Sequence, residues 1–338
     1  IGYRSWNPPR TNNLDAVALT EISVPETALL GVAVEGDTAI TGGTLYFDKF
    51  GQPTRYIEIF NRGRAPFQFA AKPSVPWLIL NESGGTVTKD QRLELSVNWT
   101  QAPTGTASAQ INITGANTNF IVHVTTFNPA APNLASFQGF IEGDGFVSMG
   151  AEQFTKHIAA GANRWIQIPD YGHTLSGMRA DGPPEVLAMP GQNSPCLEYE
   201  MYLFHSGSVK VETFVGSTLN FMPGRPLRYA ISFDDETPQT VTVVPADFDA
   251  RNGNRDWEES VKNNYRRIIS KHTITKPGVH TLKIWMVDPA VVLQKIVVNT
   301  GGVKPGYLGP PPSRRQGDSF SFNQPKNRDT AQQTAKNP

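Results

Sequence analysis

Two groups of acids, a loop histidine beside a tyrosine, and six tryptophans are the residues of this sequence with the most chemistry in reach. Asp234, Asp235 and Glu236 follow one another in SFDDETPQT, and Glu142 and Asp144 stand two apart in FIEGDGFVSMGAEQF. Two carboxylates can divide acid and base work when roughly 5–10 Å separates them and one has a raised pKa. Neither group has a spacing specific to that task. Acids between two strands read first as a solvated turn, and the second reading of Asp234 and Asp235 is a polar rim for ligand hydroxyls or a calcium ion. Calcium takes several carboxylate and carbonyl oxygens, and Glu142 and Asp144 are the candidate ligands of a structural calcium.

The six histidines are scattered with no i,i+4 pair, so a structural role is the first reading of each. His173 is the exception: it lies in the polar loop IPDYGHTLSGM with Tyr171, a candidate stacking surface. Aromatic rings exposed to solvent can stack on the apolar faces of sugars. Trp77, Trp99 and Trp257 fit core positions by alternation or helical period, whereas Trp6, Trp165 and Trp285 fit neither pattern cleanly and stay open as binding residues. No Gly-x-Ser-x-Gly elbow occurs, and the single cysteine, Cys196, opens a strand, so no nucleophilic triad and no zinc site is expected.

These residues need a scaffold, and the composition points to strands. Thirty glycines and 27 prolines favour many short strands joined by turns over a helical bundle. Thirty basic residues balance thirty acidic ones, so nucleic acid and anionic membrane are not expected partners. Residues 1–19 read as an extended strap, and 20–128 as about seven short strands of an immunoglobulin-like β-sandwich. PAAPNLASFQ, 129–138, reads as a linker, and residues 139–308 as a second, jelly-roll or carbohydrate-binding-module-like sandwich. Its strands alternate, as in LRYAISF, where Leu227, Tyr229, Ile231 and Phe233 face inward. A capping-box spacing from Asp256 to Glu259, with Trp257, Val261, Tyr265 and Ile268 at helical intervals, predicts one packed helix. Residues 309–338 are polar and proline rich and read as a disordered tail. The fold class is all-β, with two sandwiches.

Three N-x-Ser/Thr acceptors, Asn81, Asn98 and Asn112, fall in the first third of the chain. Alternation in RLELSVNWT and QINIT puts Asn98 and Asn112 on the solvent face of strands, which suits glycosylation of a secreted protein. The chain opens with Ile1, so a fragment or processed piece is expected.

IGYRSWNPP, FIEGDGFVSMGAEQF, RWIQIPDYGHTLSGM, LRYAISFDDETPQ, the stretch from DWEESVKNNYRR through KPGVHTLKIWMVDPAVVLQKIVVNTGG, and KPGYLGPPPS carry a resemblance that runs to about residue 313. With these segments the sequence resembles the C-terminal region of glycoside hydrolase family 115, the xylan α-1,2-glucuronidases. The resemblance implies an intact enzyme with an N-terminal α/β domain, a catalytic barrel, a helical domain and a C-terminal sandwich, some members carrying an extra sandwich. It further implies inverting removal of 4-O-methyl-glucuronic acid side chains from xylan, and a homodimer. The family's catalytic residues lie on the barrel, so no catalytic residue is carried over and the chain alone is expected to be inactive. The first expectation is therefore a non-catalytic accessory region whose partners are the missing barrel and helical domain. The alternatives are a lectin-like module for xylan or uronic acids, with Tyr171, His173, Asp234, Asp235 and Trp285 as substrate-binding candidates, and a complete enzyme. No cofactor is expected beyond the candidate calcium.

Overall fold

The computed structural model of the protein describes residues 22–130 and 137–316, except 175, 186, 221 and 223. The strap of residues 1–19 with Trp6, most of the linker and the tail beyond 316 lie outside the described residues. Those described divide into two compact units, with boundaries after Leu45, Thr54, Ser96, Ser108 and Val124; the segments Tyr46–Thr54 and Val97–Ser108 belong with the second unit.

The first sandwich has nine strands: β1 (Leu30–Val34), β2 (Gly43–Asp48), β3 (Thr54–Asn61), β4 (Phe67–Pro73), β5 (Leu78–Leu80), β6 (Gly84–Val87), β7 (Asp90–Val97), β8 (Gly105–Gly115) and β9 (Thr118–Asn128). They form two sheets, ordered β1-β3-β7-β5 and β2-β9-β8-β4-β6. Period-two alternation builds them: Ala109, Ile111 and Ile113 of β8 are buried while Asn112 between them is exposed. The strands unread in the sequence are β1, LGVAV, which does not alternate, and β6, four residues with two glycines.

The second sandwich contains β10 (Phe140–Ile141), β11 (Phe146–Gly150), β12 (Lys156–Ile158), β13 (Arg164–Pro169), β14 (Ser176–Asp181) and β15 (Cys196–Leu203). It continues with β16 (Gly207–Gly216), β17 (Leu227–Phe233), β18 (Gln239–Val244), α1 (Arg255–Asn263), β19 (Tyr265–Ile274), β20 (Gly278–Met286) and β21 (Val292–Asn299). One sheet runs β10-β15-β20-β17-β18 with β12 on β15, the other β13-β14-β21-β16-β19 with β11 on β21. Between them lie Tyr199, Tyr229, Phe233, Leu282, Ile284 and Met286 from one sheet and Val211, Leu293, Ile296 and Val298 from the other. Burying each large side chain contributes about 1.5–3 kcal/mol. The Tyr199 hydroxyl, also buried, donates to the carbonyl of Ala151 at 2.6 Å.

The helix is shorter than its sequence period suggested. Its N-cap is Asn254 and not the Asp256 of the expected capping box; the Asn254 side chain accepts from the Asp256 amide, and Glu258 Oε1 accepts from the Gly253 amide. It stops at Asn263 because Asn264 takes φ 58°, a left-handed cap, so Tyr265 and Ile268 belong to β19.

Strand β21, VLQKIVVN, is buried along nearly its whole length, Gln294 and Lys295 included, because both of its faces are covered. Its inner residues meet the core; on the outer face Val297 packs with Phe146, Phe214, Tyr265 and Val303. Residues 301–316 cross that outer face. Ser148 and Ser313 exchange bonds, the Ile141 amide donates to Arg314, and Gln316 donates to Gly139. The first part of the expected tail, 309–316, is thus seated on the sandwich. Lys295 lies beneath it, 7 % exposed, with its amine donating to the carbonyls of Leu308 and Pro310.

Burial pushes the Lys295 ammonium down from 10.5 to about 8. A lysine whose folded pKa is lowered binds fewer protons folded than unfolded between these values, so its contribution to stability rises as pH climbs through that window. Melting temperatures of wild type and Lys295→Met measured from pH 7 to 10.5 should therefore differ in slope above about pH 8, the wild type gaining relative to the variant. Parallel curves would show that the amine is not buried as described.

Candidate functional site

A cavity in the second unit is built by the turn between β12 and β13 and the loop between β14 and β15. In the first, the Asn163 amide donates to the carbonyl of Ala160 across a tight turn, and Gly161 supplies the positive φ of 61° that the turn requires. The Asn163 side chain turns inward, 5 % exposed, and its Nδ2 donates to the carbonyl of Asn193 at 2.8 Å. Its carboxamide lies against Gly182, where a Cβ would come within 2.2 Å of Oδ1, so any larger residue would displace it.

The facing loop is fixed from within and from below. Asn193 Oδ1 accepts from the Met189 amide at 2.7 Å. Ser194 Oγ donates to Met286 at 2.6 Å, and the Ala188 amide donates to Val287, so the loop is tied to the end of β20. Beneath it Asp288, 1 % exposed, receives Arg225 Nε at 2.7 Å and Arg228 Nε at 2.8 Å. Arg225 also donates to the carbonyl of Pro184 in the same loop. Between the two loops is a cavity of about 360 Å³ walled by the Ala160–Asn163 turn, Pro183, Gln192 and Asn193. Its walls are methyl groups, a proline and carboxamides, with no ionisable side chain, which suits a small uncharged ligand that has both C–H faces and hydroxyls.

Trp285 lies on the outer face of the β15-β20-β17 sheet. It stands directly across from Cys196 and Ala230, small residues that leave room for the indole. It is half-buried, and its Nε1 donates to Ser232 Oγ at 3.4 Å. Cys196 beneath it is fully buried, and burial, with Glu198 nearby, pushes its thiol up to about 12, so it holds no reactive thiolate. Trp165 is a core residue, 4 % exposed, donating to Pro195 at 3.2 Å.

The remaining residues singled out by sequence lie apart from the cavity's walls. Asp234 and Asp235 form the turn from β17 to β18. Asp234 caps His280 Nδ1 at 2.7 Å and accepts from the Thr281 amide at 2.8 Å, and Asp235 is exposed. Tyr171 and His173 lie with the other sheet. Tyr171 is bedded against Gly177 and Gly216, and burial pushes its phenol up. The His173 ring meets Tyr265 and Tyr307 edge-on at 5.0 and 4.7 Å, with Nε2 and Tyr307 Oη 2.8 Å apart, and burial and then Lys295 push its pKa down. Glu142 accepts from the amides of Phe204 and His205 and from Thr300, so both of its oxygens already hold donors. Asp144 accepts from the Gln52 amide at 2.8 Å, and its own amide donates to Asp48. Burial, with Asp144 adding repulsion, raises Asp48 to about 6, but at 4 % exposure that carboxyl is sealed from any substrate. Among the described residues no three His, Cys, Asp or Glu side chains are arranged to hold a metal ion.

Of the acceptor asparagines, Asn112 is exposed on β8 as alternation predicts, and Asn81 is exposed with its Oδ1 accepting from Glu94. Asn98 is corrected: it stands one residue past the end of β7, and its Oδ1 caps the turn by accepting from the amide and hydroxyl of Thr100. Sequence reasoning missed Asn163, Gln192, Asn193 and Asp288. GAN and PGQNS carry ordinary turn chemistry, and only the buried position of Asn163 separates them from it.

Residues 139–312 match the family described as the glycosyl hydrolase family 115 C-terminal domain. Among solved structures, a family GH115 4-O-methyl-α-glucuronidase, BtGH115A, with specificity for decorated arabinogalactans, is similar at 17 % identity and a TM-score of 0.30, over 43 % of this chain. The chain spans 17 % of that protein's length. A family 35 carbohydrate-binding module from Clostridium thermocellum is similar at 12 % identity and a TM-score of 0.29, over 45 % of this chain and 97 % of that one. CsCBM6-3 from Clostridium stercorarium, solved with cellobiose, is similar at 13 % identity and a TM-score of 0.28, over 49 % of this chain and 99 % of that one. No curated protein matches the sequence.

Breaking the Asp288 pairs leaves two guanidiniums, 19 % and 24 % exposed, without their carboxylate. Asp288→Ala should cost about 3–5 kcal/mol in urea unfolding, while Asp235→Ala in its exposed turn should cost less than about 0.5 kcal/mol. Equal costs for the two would remove Asp288 as the anchor of the loop.

Proposed function

This chain belongs to glycosyl hydrolase family 115 through its C-terminal domain, and we propose that it serves as the non-catalytic accessory region of a secreted enzyme that acts on glucuronoxylan. In the intact protein it would pack against the catalytic barrel and helical domain, support dimerisation and shape the substrate cleft while the barrel removes 4-O-methyl-glucuronic acid side chains. The observation that supports this reading is the commitment of four acids of the second sandwich. Glu142 is held by backbone amides and Thr300, Asp234 by His280 and Thr281, Glu236 by His272, and Asp288 by two arginines. A hydrolase needs one carboxyl free to give a proton and a second facing it across the sugar; these four serve the fold instead.

The second reading, a carbohydrate-binding module for xylan or uronic acids, is favoured by the amide-lined cavity between the loops. Carbohydrate contact and domain packing are compatible, because the cavity's walls come from two loops and leave the outer face of the β15-β20-β17 sheet for neighbours.

The purified chain, incubated with glucuronoxylan oligosaccharides and assayed for released methyl-glucuronic acid, should give no more than a buffer blank. In the intact enzyme, deletion of this region should lower release and shift sedimentation from dimer toward monomer. Release of the acid by the isolated chain would overturn the non-catalytic reading, and an intact enzyme indifferent to the deletion would overturn the accessory one.

A further inference from the structure

We infer that the cavity between the β12–β13 turn and the β14–β15 loop binds one uncharged pyranose ring of an oligosaccharide; this rests on the carbohydrate-binding reading and narrows it to neutral sugar. At about 360 Å³ the space lies at the lower end of the range of roughly 300–1,000 Å³ typical of small-molecule sites. A pyranose presents C–H faces and a rim of hydroxyls. Ala160, Ala162 and Pro183 supply the apolar surface, and the exposed Gln192 carboxamide supplies a donor and an acceptor at the rim.

Asn163 fixes the wall of this cavity. It is buried, its Nδ2 donates to the carbonyl of Asn193, and its Oδ1 is turned against Gly182 and closed to solvent. The turn is therefore tied to the facing loop from inside, and polar contact with a ring in the cavity falls to the exposed Gln192 carboxamide.

Charge decides between neutral and acidic sugars. No Lys, Arg or His lines the cavity. The guanidinium bonded to Pro184, that of Arg225, is committed to Asp288. A uronate seated here would give up hydration of its carboxylate with no cation to replace it, so the ring that fits is uncharged.

Isothermal titration of the full chain with xylotriose and, separately, with glucuronate tests this. Xylotriose should bind with a Kd on the order of 1 mM and glucuronate at least about tenfold more weakly. Ala162→Trp, which fills the cavity from an exposed position, should weaken xylotriose binding by about tenfold or more, and Gln192→Ala should weaken it severalfold, both with unchanged melting temperature. Trp285→Ala should bind as wild type. Undiminished binding by both cavity variants would overturn the inference while leaving carbohydrate binding elsewhere on the chain intact, as would loss of binding in Trp285→Ala alone. Tighter binding of glucuronate than xylotriose would overturn the neutral-ring assignment. Binding of neither sugar by wild type would overturn the inference together with the carbohydrate-binding reading, and would leave the packing role, which the release assay tests separately, standing.

Discussion

The carboxylate of Asp288 is the point on which the β14–β15 end of the second sandwich depends. It is buried and held by Arg225 and Arg228, and Arg225 carries the bonding onward to Pro184. A buried ion pair adds little net stability compared with a well-packed apolar core, but it punishes any arrangement that separates its members. Here that penalty fixes the end of β20, the approach to β17 and the β14–β15 loop in one geometry. Asn163 then bridges the facing turn to Asn193. Two surface loops rich in glycine and asparagine would otherwise close and open freely; anchored from beneath, they enclose a lasting space.

The opposite side of the sandwich follows a different logic. The apolar cluster of Phe146, Phe214 and Val297 on the outer face of this sheet would be a liability if bare, and residues 301–316 cross it with Val303 packed on the cluster. The cover is held by backbone pairing at its end and by Lys295 in its middle, whose amine meets carbonyls instead of an acid. Tyr171 and His173 belong to this arrangement: one lies flat on glycines, the other is wedged between Tyr265 and Tyr307. His173, kept open as a binding residue in the sequence, is in this structure a contact of Tyr307 in the covering segment 301–316.

Much of the fold was legible because alternation is a strict signal. Leu227, Tyr229, Ile231 and Phe233 of LRYAISF face inward as alternation predicts. The signal failed where two periods fit the same letters. Trp257, Val261, Tyr265 and Ile268 satisfy helical spacing, yet the chain changes hand at Asn264 and the last two stand on a strand. Trp285 could not be assigned a face until its register against Cys196 and Ala230 was known. The cavity was illegible for a more basic reason: its polar residues are turn formers in turns, and what makes Asn163 distinctive is the company of Gly182 and Asn193, which come from 19 and 30 positions away.

On the inference drawn above, carbohydrate meets the anchored loops and not the sheet face around Trp285. A crystal structure of the chain soaked with xylotriose decides between the two places. A pyranose ring is expected between the Ala160–Asn163 turn and Gln192, within hydrogen-bonding reach of a carboxamide. A sugar stacked on Trp285 with no ring between the loops would overturn that inference.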